Sequence, residues 1–117
     1  MLLDKDSRRL QHISEYGQAA IDYCTGKTLA DLERDVPGRS HLARCLEVVG
    51  EAANHVSPEL RAAHPHVPWR SMIRLRNRII HAYMDLNIGT MWLTIKQQLP
   101  EVVEQARQIL REKGHDF

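Results

Sequence analysis

The sequence lacks several features that identify common classes of protein. Its two cysteines, Cys24 and Cys45, form no CxxC motif and no secretory segment opens the chain, so we expect reduced, buried thiols in a soluble cytoplasmic protein. No apolar run approaches the roughly 18 residues of a membrane-spanning helix. An excess of charge of one sign is also absent, because 16 Lys and Arg residues face 15 Asp and Glu residues. Any contact with nucleic acid would therefore depend on a local basic patch.

Signatures of several enzyme and metal-binding classes are missing as well. The chain has no glycine-rich phosphate cradle, no GxSxG nucleophile elbow and no persuasive Cys-His spacing. His64 and His66 share a proline-rich loop without cysteine or regularly spaced carboxylates, so they are better interpreted as loop histidines than as a zinc site. Glu47 and Glu51, four residues apart, have no matching pair elsewhere and are interpreted as a solvated or interface edge. We expect neither a metal nor a cofactor.

Helical periodicity dominates what is present. Apolar or small residues recur at helical spacing in four stretches, at about residues 3–24, 39–55, 69–83 and 91–110. Residues 25–38 are predicted as a loop with room for one short helical turn, and Ser57-Pro58 predicts a short helix that ends before Pro65. No stretch alternates like a strand. The predicted fold class is therefore all-α, an up-and-down bundle of four main helices with a short extra helix, in a single domain over residues 1–117.

Two residues inside these predicted helices need an explanation. Gly50 lies within the second main helix, where glycine costs about 1 kcal/mol relative to alanine. We therefore expect a neighbouring helix to approach closely at that position. Pro100 lies within the last stretch, and it either kinks one long helix or divides it into two.

The segment RNRIIHAY, residues 76–83, places several polar side chains on one predicted helix. Its Arg76 and His81 have the spacing Arg-x4-His, which twelve arginines and seven histidines would produce about 0.7 times by chance. The other match in the chain, Arg61 and His66, crosses a proline and cannot continue as helix. On a helix Arg76 and His81 lie about 140° apart, so one helix would struggle to aim both at one phosphate. Two copies facing each other across a two-fold axis would bring them into one cleft.

The chemistry that fits these side chains is RNA cleavage without a metal. A neutral imidazole at His81 could take the proton from a 2′-hydroxyl, and a protonated one could deliver a proton to the leaving 5′-oxygen. Arg76 could hold the phosphate and stabilise charge in the transition state. Asn77 could orient the histidine or bind a phosphate oxygen. Tyr83 could stack or hydrogen-bond at the cleft edge, and its hydroxyl could accept a modification.

Other interpretations of the same residues stay open at this point. The arginines that crowd into this helix, Arg74 and Arg78 among them, are candidate RNA-phosphate contacts or simply a solvated face. Tyr83 could be a core aromatic whose hydroxyl reaches solvent, and Asn77 and His81 could be ordinary surface residues. The helix could also belong to a non-catalytic module that binds a nucleotide or a protein partner, or to a purely structural dimer.

Three segments, LEVVGEAANHVSPEL, HPHVPWRSMIRLRNRIIHAY and MWLTIKQQLPEV, resemble the HepT-like toxins of the HEPN superfamily. These are all-helical domains with an Arg-x4-His-x-Tyr motif. The Gly-Glu-Ala of the second helix, the Pro-Trp before the motif helix and the Arg-Asn pair all fall in order, and the resemblance covers most of the chain. It implies a toxin that is a homodimeric, metal-independent endoribonuclease. Its partner would be a minimal nucleotidyltransferase antitoxin, in a complex that could be larger than a dimer.

The resemblance also assigns roles to individual residues. Arg76 and His81 match the catalytic pair, and Asn77 matches the usual polar residue after the arginine. Tyr83 matches the tyrosine that some such antitoxins neutralise by adding AMP groups, which would bring bulk and negative charge to the place of the substrate phosphate. Arg74 stands where a small residue is common, so it would widen the basic surface or crowd the dimer interface.

Overall fold

The computed structural model describes residues 4–82 and 87–115, with the side chain of residue 82 left out, and it confirms the predicted all-α, up-and-down bundle. Its elements are α1 (Lys5–Cys24), α2 (Leu29–Glu33), α3 (Val36–His55), α4 (Pro58–Ala63), α5 (Trp69–Ala82), α6 (Ile88–Leu93), a π-helical segment (Thr94–Gln98) and α7 (Leu99–Glu112). The main helices are α1, α3, α5 and the continuous helix from α6 to α7. No strand occurs within the two described ranges.

α1 and α3 begin where side chains cap free backbone N–H groups. At the start of α1 the carboxylate of Asp4 accepts a hydrogen bond from the N–H of Ser7 at 2.8 Å. At the start of α3 the carboxylate of Asp35 accepts one from the N–H of Gly38 at 2.9 Å. The hydroxyl of Tyr23 donates to the same carboxylate, which raises the pKa of the tyrosine and lowers that of the aspartate. This bond ties the end of α1 to the start of α3.

The prediction for residues 25–38 was wrong at its C-terminal end. α3 begins at Val36 instead of Arg39, and its first turn contains Pro37. Proline suits this position because its fixed backbone angle fits the helix and the first-turn N–H groups need no partner within it. The short helical turn allowed for in the loop is present as α2, which begins with a capping box between Thr28 and Asp31.

The last main helix is continuous across Pro100. The five residues Thr94–Gln98 form a π-helical segment, and the N–H of Leu99 bonds to the carbonyl of Thr94. Proline donates no N–H, and its ring clashes with the carbonyl four residues earlier in a regular α-helix. The wider π turn accommodates that clash. The division into two helices is therefore wrong, and the single long helix contains a π-helical segment just before Pro100.

The core lies between the four main helices, and α3 is at its centre. α3 packs against both α1 and α5, and α1 also packs against α7. The largest fully buried side chains include Leu10, Ile13, Leu42, Leu46, Ile79, Ile95 and Leu99. Cys24 and Cys45 are free thiols in this core, as predicted, and burial raises the pKa of both. Among residues 4–82 and 87–115, no helix has the length and apolar character needed to cross a membrane.

Gly50 lies at the contact between α3 and α5. A Cβ atom added there would lie 2.5 Å from the carbonyl oxygen of Met72 and closer still to the Cβ of Arg76. The expectation that a neighbouring helix approaches Gly50 is therefore confirmed. The neighbour is α5, the helix that carries the RNRIIHAY segment.

We expect Gly50→Ala to destabilise the protein, because the added methyl group meets the backbone and a Cβ atom of α5 rather than the flexible end of a side chain. Overpacking costs about 1–3 kcal/mol, and the better helix propensity of alanine offsets about 1 kcal/mol of this. A net loss of up to about 2 kcal/mol in the free energy of unfolding should appear in urea denaturation. Asn54→Ala, at an exposed position of α3, is the control and should change it by less than about 0.5 kcal/mol. Equal urea midpoints for Gly50→Ala and Asn54→Ala would contradict the close contact between Gly50 and α5.

Candidate active site

α5 carries most of the predicted site residues, and its packing fixes which of its faces meets solvent. Trp69 is buried at its N-terminal end and donates a hydrogen bond from Nε1 to the carbonyl of His64 at 3.0 Å. Met72, Leu75 and Ile79 follow at helical spacing and are buried in the core. Because these residues occupy one stripe, the remaining faces of α5 are available for polar side chains.

Arg76 lies beside the buried stripe of α5, with 27% of its side chain exposed. Its Nη2 is 2.6 Å from Oε2 of Glu51 on α3, and its Nη1 donates to Oδ1 of Asn77 at 2.8 Å. Its Nε is buried and has no hydrogen-bond partner among the residues described. The guanidinium is thus held in place by a carboxylate. A phosphate presents similar oxygens and could join or replace that carboxylate.

Glu51 was interpreted from the sequence as a solvated or interface edge, and the structure places this partly exposed side chain beside Arg76. Its other carboxylate oxygen, Oε1, lies 3.3 Å from Nδ1 of His55. Glu51 directly follows Gly50, whose missing side chain lets α5 approach closely enough for the ion pair. The Gly-Glu dipeptide was therefore the sequence signal that could have identified the partner of Arg76.

His81 is exposed near the C-terminal end of α5. In the described ranges it makes no hydrogen bond or ion pair. Asn77, one turn earlier, bonds to Arg76, so within a single chain its orienting contact is to the arginine and none to His81 is present. The neighbouring Ile80 is 45% exposed. One chain thus presents an accessible imidazole and a carboxylate-bound arginine on different faces of the same helix.

The remaining predicted residues differ in how far the structure describes them. Arg74 and Arg78 are exposed on α5 and form no ion pair within the part of the chain that is described. Tyr83 lies outside the described residues. The exposed side of α5 therefore combines His81 with two arginines, whose positive charge suits a phosphate backbone.

Arg76 also borders a groove that the sequence did not reveal. The groove has a volume of ≈ 410 Å³ and is lined by Arg9, His12, Arg44, Glu47, Val48, Glu51, Ala52 and Arg76. These residues come from α1, α3 and α5, whereas His81 is not among them. No sequence motif identified Arg9 and His12 as groove residues, because their position depends on how α1 packs against α3.

The two loop histidines considered for zinc contact each other. The rings of His64 and His66 meet edge to face, with centroids 5.8 Å apart. Across the described part of the chain, no three His, Cys, Asp or Glu side chains come together where they could hold a metal ion. The pair therefore does not extend into a larger ligand set there.

Comparison with known proteins extends this description. The family model described as "Ribonuclease HepT-like" matches residues 13–109. A protein named as a probable ribonuclease HepT, from Thermococcus cleftensis, is 37% identical over 93 residues, which cover 80% of this chain and 84% of that protein. A provisionally named RNase from Caldanaerobacter subterraneus subsp. tengcongensis is 31% identical over 104 residues, covering 89% of this chain and 93% of that protein.

A second provisionally named RNase, from Methanocaldococcus jannaschii, is 30% identical over 114 residues, covering 96% of this chain and 94% of that protein. No solved structure is significantly similar to the chain. The family match spans α3 with its Gly50-Glu51 dipeptide and α5 with Arg76 and His81. As its sequence resemblance predicted, the chain belongs to the HepT-like ribonuclease family.

Proposed function

We propose that the chain is a metal-independent endoribonuclease toxin whose active site is built by two copies of the chain. The observation that carries this proposal is that α5 holds Arg76 against Glu51 while leaving His81 exposed five residues later. Because the two side chains lie on different faces of the helix, a single chain cannot direct both at one phosphate. An isologous dimer brings α5 of each copy against the other, with the exposed Ile80 at the interface.

In this site the two His81 imidazoles divide the proton transfers. The neutral one takes the proton from the 2′-hydroxyl as its oxygen attacks phosphorus, and the protonated one gives a proton to the 5′-oxygen as the P–O bond breaks. The products are a 2′,3′-cyclic phosphate and a 5′-hydroxyl. Arg76 binds the non-bridging oxygens and stabilises their charge, while Asn77 holds the arginine. No metal or cofactor takes part.

The surroundings of this site also suit an RNA substrate. Arg74 and Arg78 extend the positive charge along the exposed side of α5, where they contact neighbouring phosphates. The proposed location is the cytoplasm, because the free thiols at Cys24 and Cys45 fit a reducing compartment. In this proposal residues 1–117 act as one domain.

The partner in this proposal is a minimal nucleotidyltransferase antitoxin that adds AMP to Tyr83, in a complex that could contain more than one toxin dimer. The tyrosine oxygen attacks the α-phosphate of ATP, and pyrophosphate leaves. Since Tyr83 follows His81 by two residues, the added phosphate competes with RNA for the arginines of the cleft. Intact mass after co-expression with such an enzyme tests this step. AMP groups are expected on the wild type and none on Tyr83→Phe.

Mixing the wild type with His81→Ala tests whether both copies contribute to one site. If both imidazoles are needed, every mixed dimer is inactive, and activity falls with the square of the wild-type fraction. An equal mixture, unfolded and refolded together, should therefore retain about a quarter of the wild-type activity rather than about half. The control is Arg34→Ala, a substitution at the exposed residue that ends α2. The same mixture of this variant with the wild type should keep the full activity.

A proportional fall to one half in the mixture would contradict the two-chain site. Growth arrest on expression without the partner, abolished by His81→Ala, is expected of the toxin. If RNA binding instead survives His81→Ala and the wild type cuts no RNA, the chain is a non-catalytic binding module.

A further inference from the structure

The groove beside Arg76 contains two basic side chains that the proposed chemistry does not use. Arg9 and His12 lie three residues apart on α1, so they share a face of the helix, and both line the groove. Both are partly buried. Neither forms a hydrogen bond or ion pair with any residue that the structure describes. A partly desolvated guanidinium without a carboxylate is unfavourable, so it is a site where an anion would be stabilising.

The other arginines of the groove are already paired. Nη1 of Arg44 lies 3.2 Å from Oε1 of Glu47, and Nη2 of Arg76 lies 2.6 Å from Oε2 of Glu51. Among the groove-lining residues, this leaves Arg9 as the arginine without a carboxylate, with the imidazole of His12 beside it as an N–H donor. Uncompensated positive charge in a concave surface attracts anions more strongly than the same charge on a flat one.

The size and position of the groove favour one kind of anion. Its volume of ≈ 410 Å³ lies within the range of about 300–1,000 Å³ that is typical of ligand pockets, so a nucleotide fits. Arg76 is part of its wall, and the proposed reaction places the cleaved phosphate at Arg76. In an RNA strand the next phosphate follows one nucleotide away. Arg9 and His12 line the same groove as Arg76, so a strand that is bound at Arg76 and follows the groove reaches them.

We infer that Arg9 and His12 form a second phosphate-binding subsite, which holds the nucleotide next to the cleaved bond and lays the RNA strand along the groove between α1 and α3. This inference rests on the proposed ribonuclease function. Since the contacts are to phosphate, binding in the subsite depends on charge and strand length and not on the identity of the base.

Binding of an RNA oligonucleotide that is 2′-O-methylated throughout tests the subsite apart from cleavage, because the blocked 2′-oxygen cannot attack phosphorus. Arg9→Ala should weaken binding about tenfold on oligonucleotides of different sequence. It should also reduce the slope of log affinity against log salt by about 0.7, the value for one phosphate contact on a single strand. His12→Ala should weaken binding in the same direction.

Arg8→Ala is the matched control, because Arg8 is an exposed arginine on the same helix that does not line the groove. Its affinity and salt slope should equal those of the wild type. Thermal unfolding shows whether each variant remains folded. Equal affinities for Arg8→Ala and Arg9→Ala would overturn the inference. Displacement of the RNA by AMP at the same nucleotide concentration would also overturn it, because the groove would then be a site for free nucleotides.

Cleavage of unmethylated RNA by the same proteins separates this inference from the proposed function. If the wild type cleaves RNA while Arg9→Ala leaves KM and the affinity for methylated RNA unchanged, the subsite is refuted and the nuclease remains. If the wild type binds RNA through Arg9 without cleaving it, the nuclease is refuted and the subsite remains as part of a binding module. If RNA does not bind at all, both are refuted.

Discussion

Replacement of His81 by alanine is expected to lower the rate of RNA cleavage at least about a hundredfold, because proton transfer by a positioned side chain contributes about 10²–10⁴. His81 is exposed and has no hydrogen-bond or ion-pair partner in residues 4–82 and 87–115. Its removal should therefore leave the fold and the affinity for methylated RNA unchanged. The loss should fall on kcat with KM preserved, as measured by initial rates on a defined oligonucleotide.

The chain provides a matched control for this substitution. His66 is the histidine of the other Arg-x4-His match, and it is exposed in the loop before α5. His66→Ala should keep the full rate of cleavage. If His81→Ala and His66→Ala cleave RNA equally fast, His81 does not transfer a proton in the reaction.

Arg76→Ala is expected to lower the rate of cleavage by about 10²–10³, the typical effect of removing one donor that stabilises a developing oxyanion. Arg76→Lys should recover only part of that rate. Lysine keeps the charge but lacks the planar fork through which Arg76 contacts Glu51 and Asn77 together. Initial rates for both variants, with urea denaturation to confirm folding, measure the effect. Full activity in folded Arg76→Ala would exclude the phosphate-clamp role.

The four main helices could be predicted because each has an apolar stripe at helical spacing that lies in the core. The start of α3 could not be predicted in this way. Pro37-Gly38 has the composition of a turn, and it becomes the first turn of a helix because Asp35 caps the N–H of Gly38. The hydroxyl of Tyr23 holds that aspartate. This contact joins residues 12 positions apart, which a local pattern does not reveal.

In the candidate site, too, the sequence predicted the geometry along one helix but not the contacts between helices. The spacing of Arg76 and His81 gave their separation around the helix, and Gly50 indicated that a neighbouring helix approaches α3. Only the packing of α3 on α5 shows that this neighbour is α5. The same packing brings Glu51 to Arg76. Arg9 belongs to the groove for a similar reason, because the packing of α1 against α3 brings it to the groove that Arg76 borders.

The role of Tyr83 was assigned from the sequence alone. It lies outside the described residues, so its assignment as the site of AMP addition depends on the resemblance of the motif and on its position two residues after His81. Intact mass measurement is also needed before any cleavage assay, since a protein that carries AMP would be inactive whichever residues stand at positions 76 and 81.

The initial rate of RNA cleavage by the unmodified wild-type protein in excess EDTA is the most direct test of the central claim. We expect the same rate with and without EDTA, and products that end in a 2′,3′-cyclic phosphate and a 5′-hydroxyl. No cleavage by an unmodified dimer, or cleavage that EDTA abolishes and a divalent cation restores, would contradict a metal-independent ribonuclease.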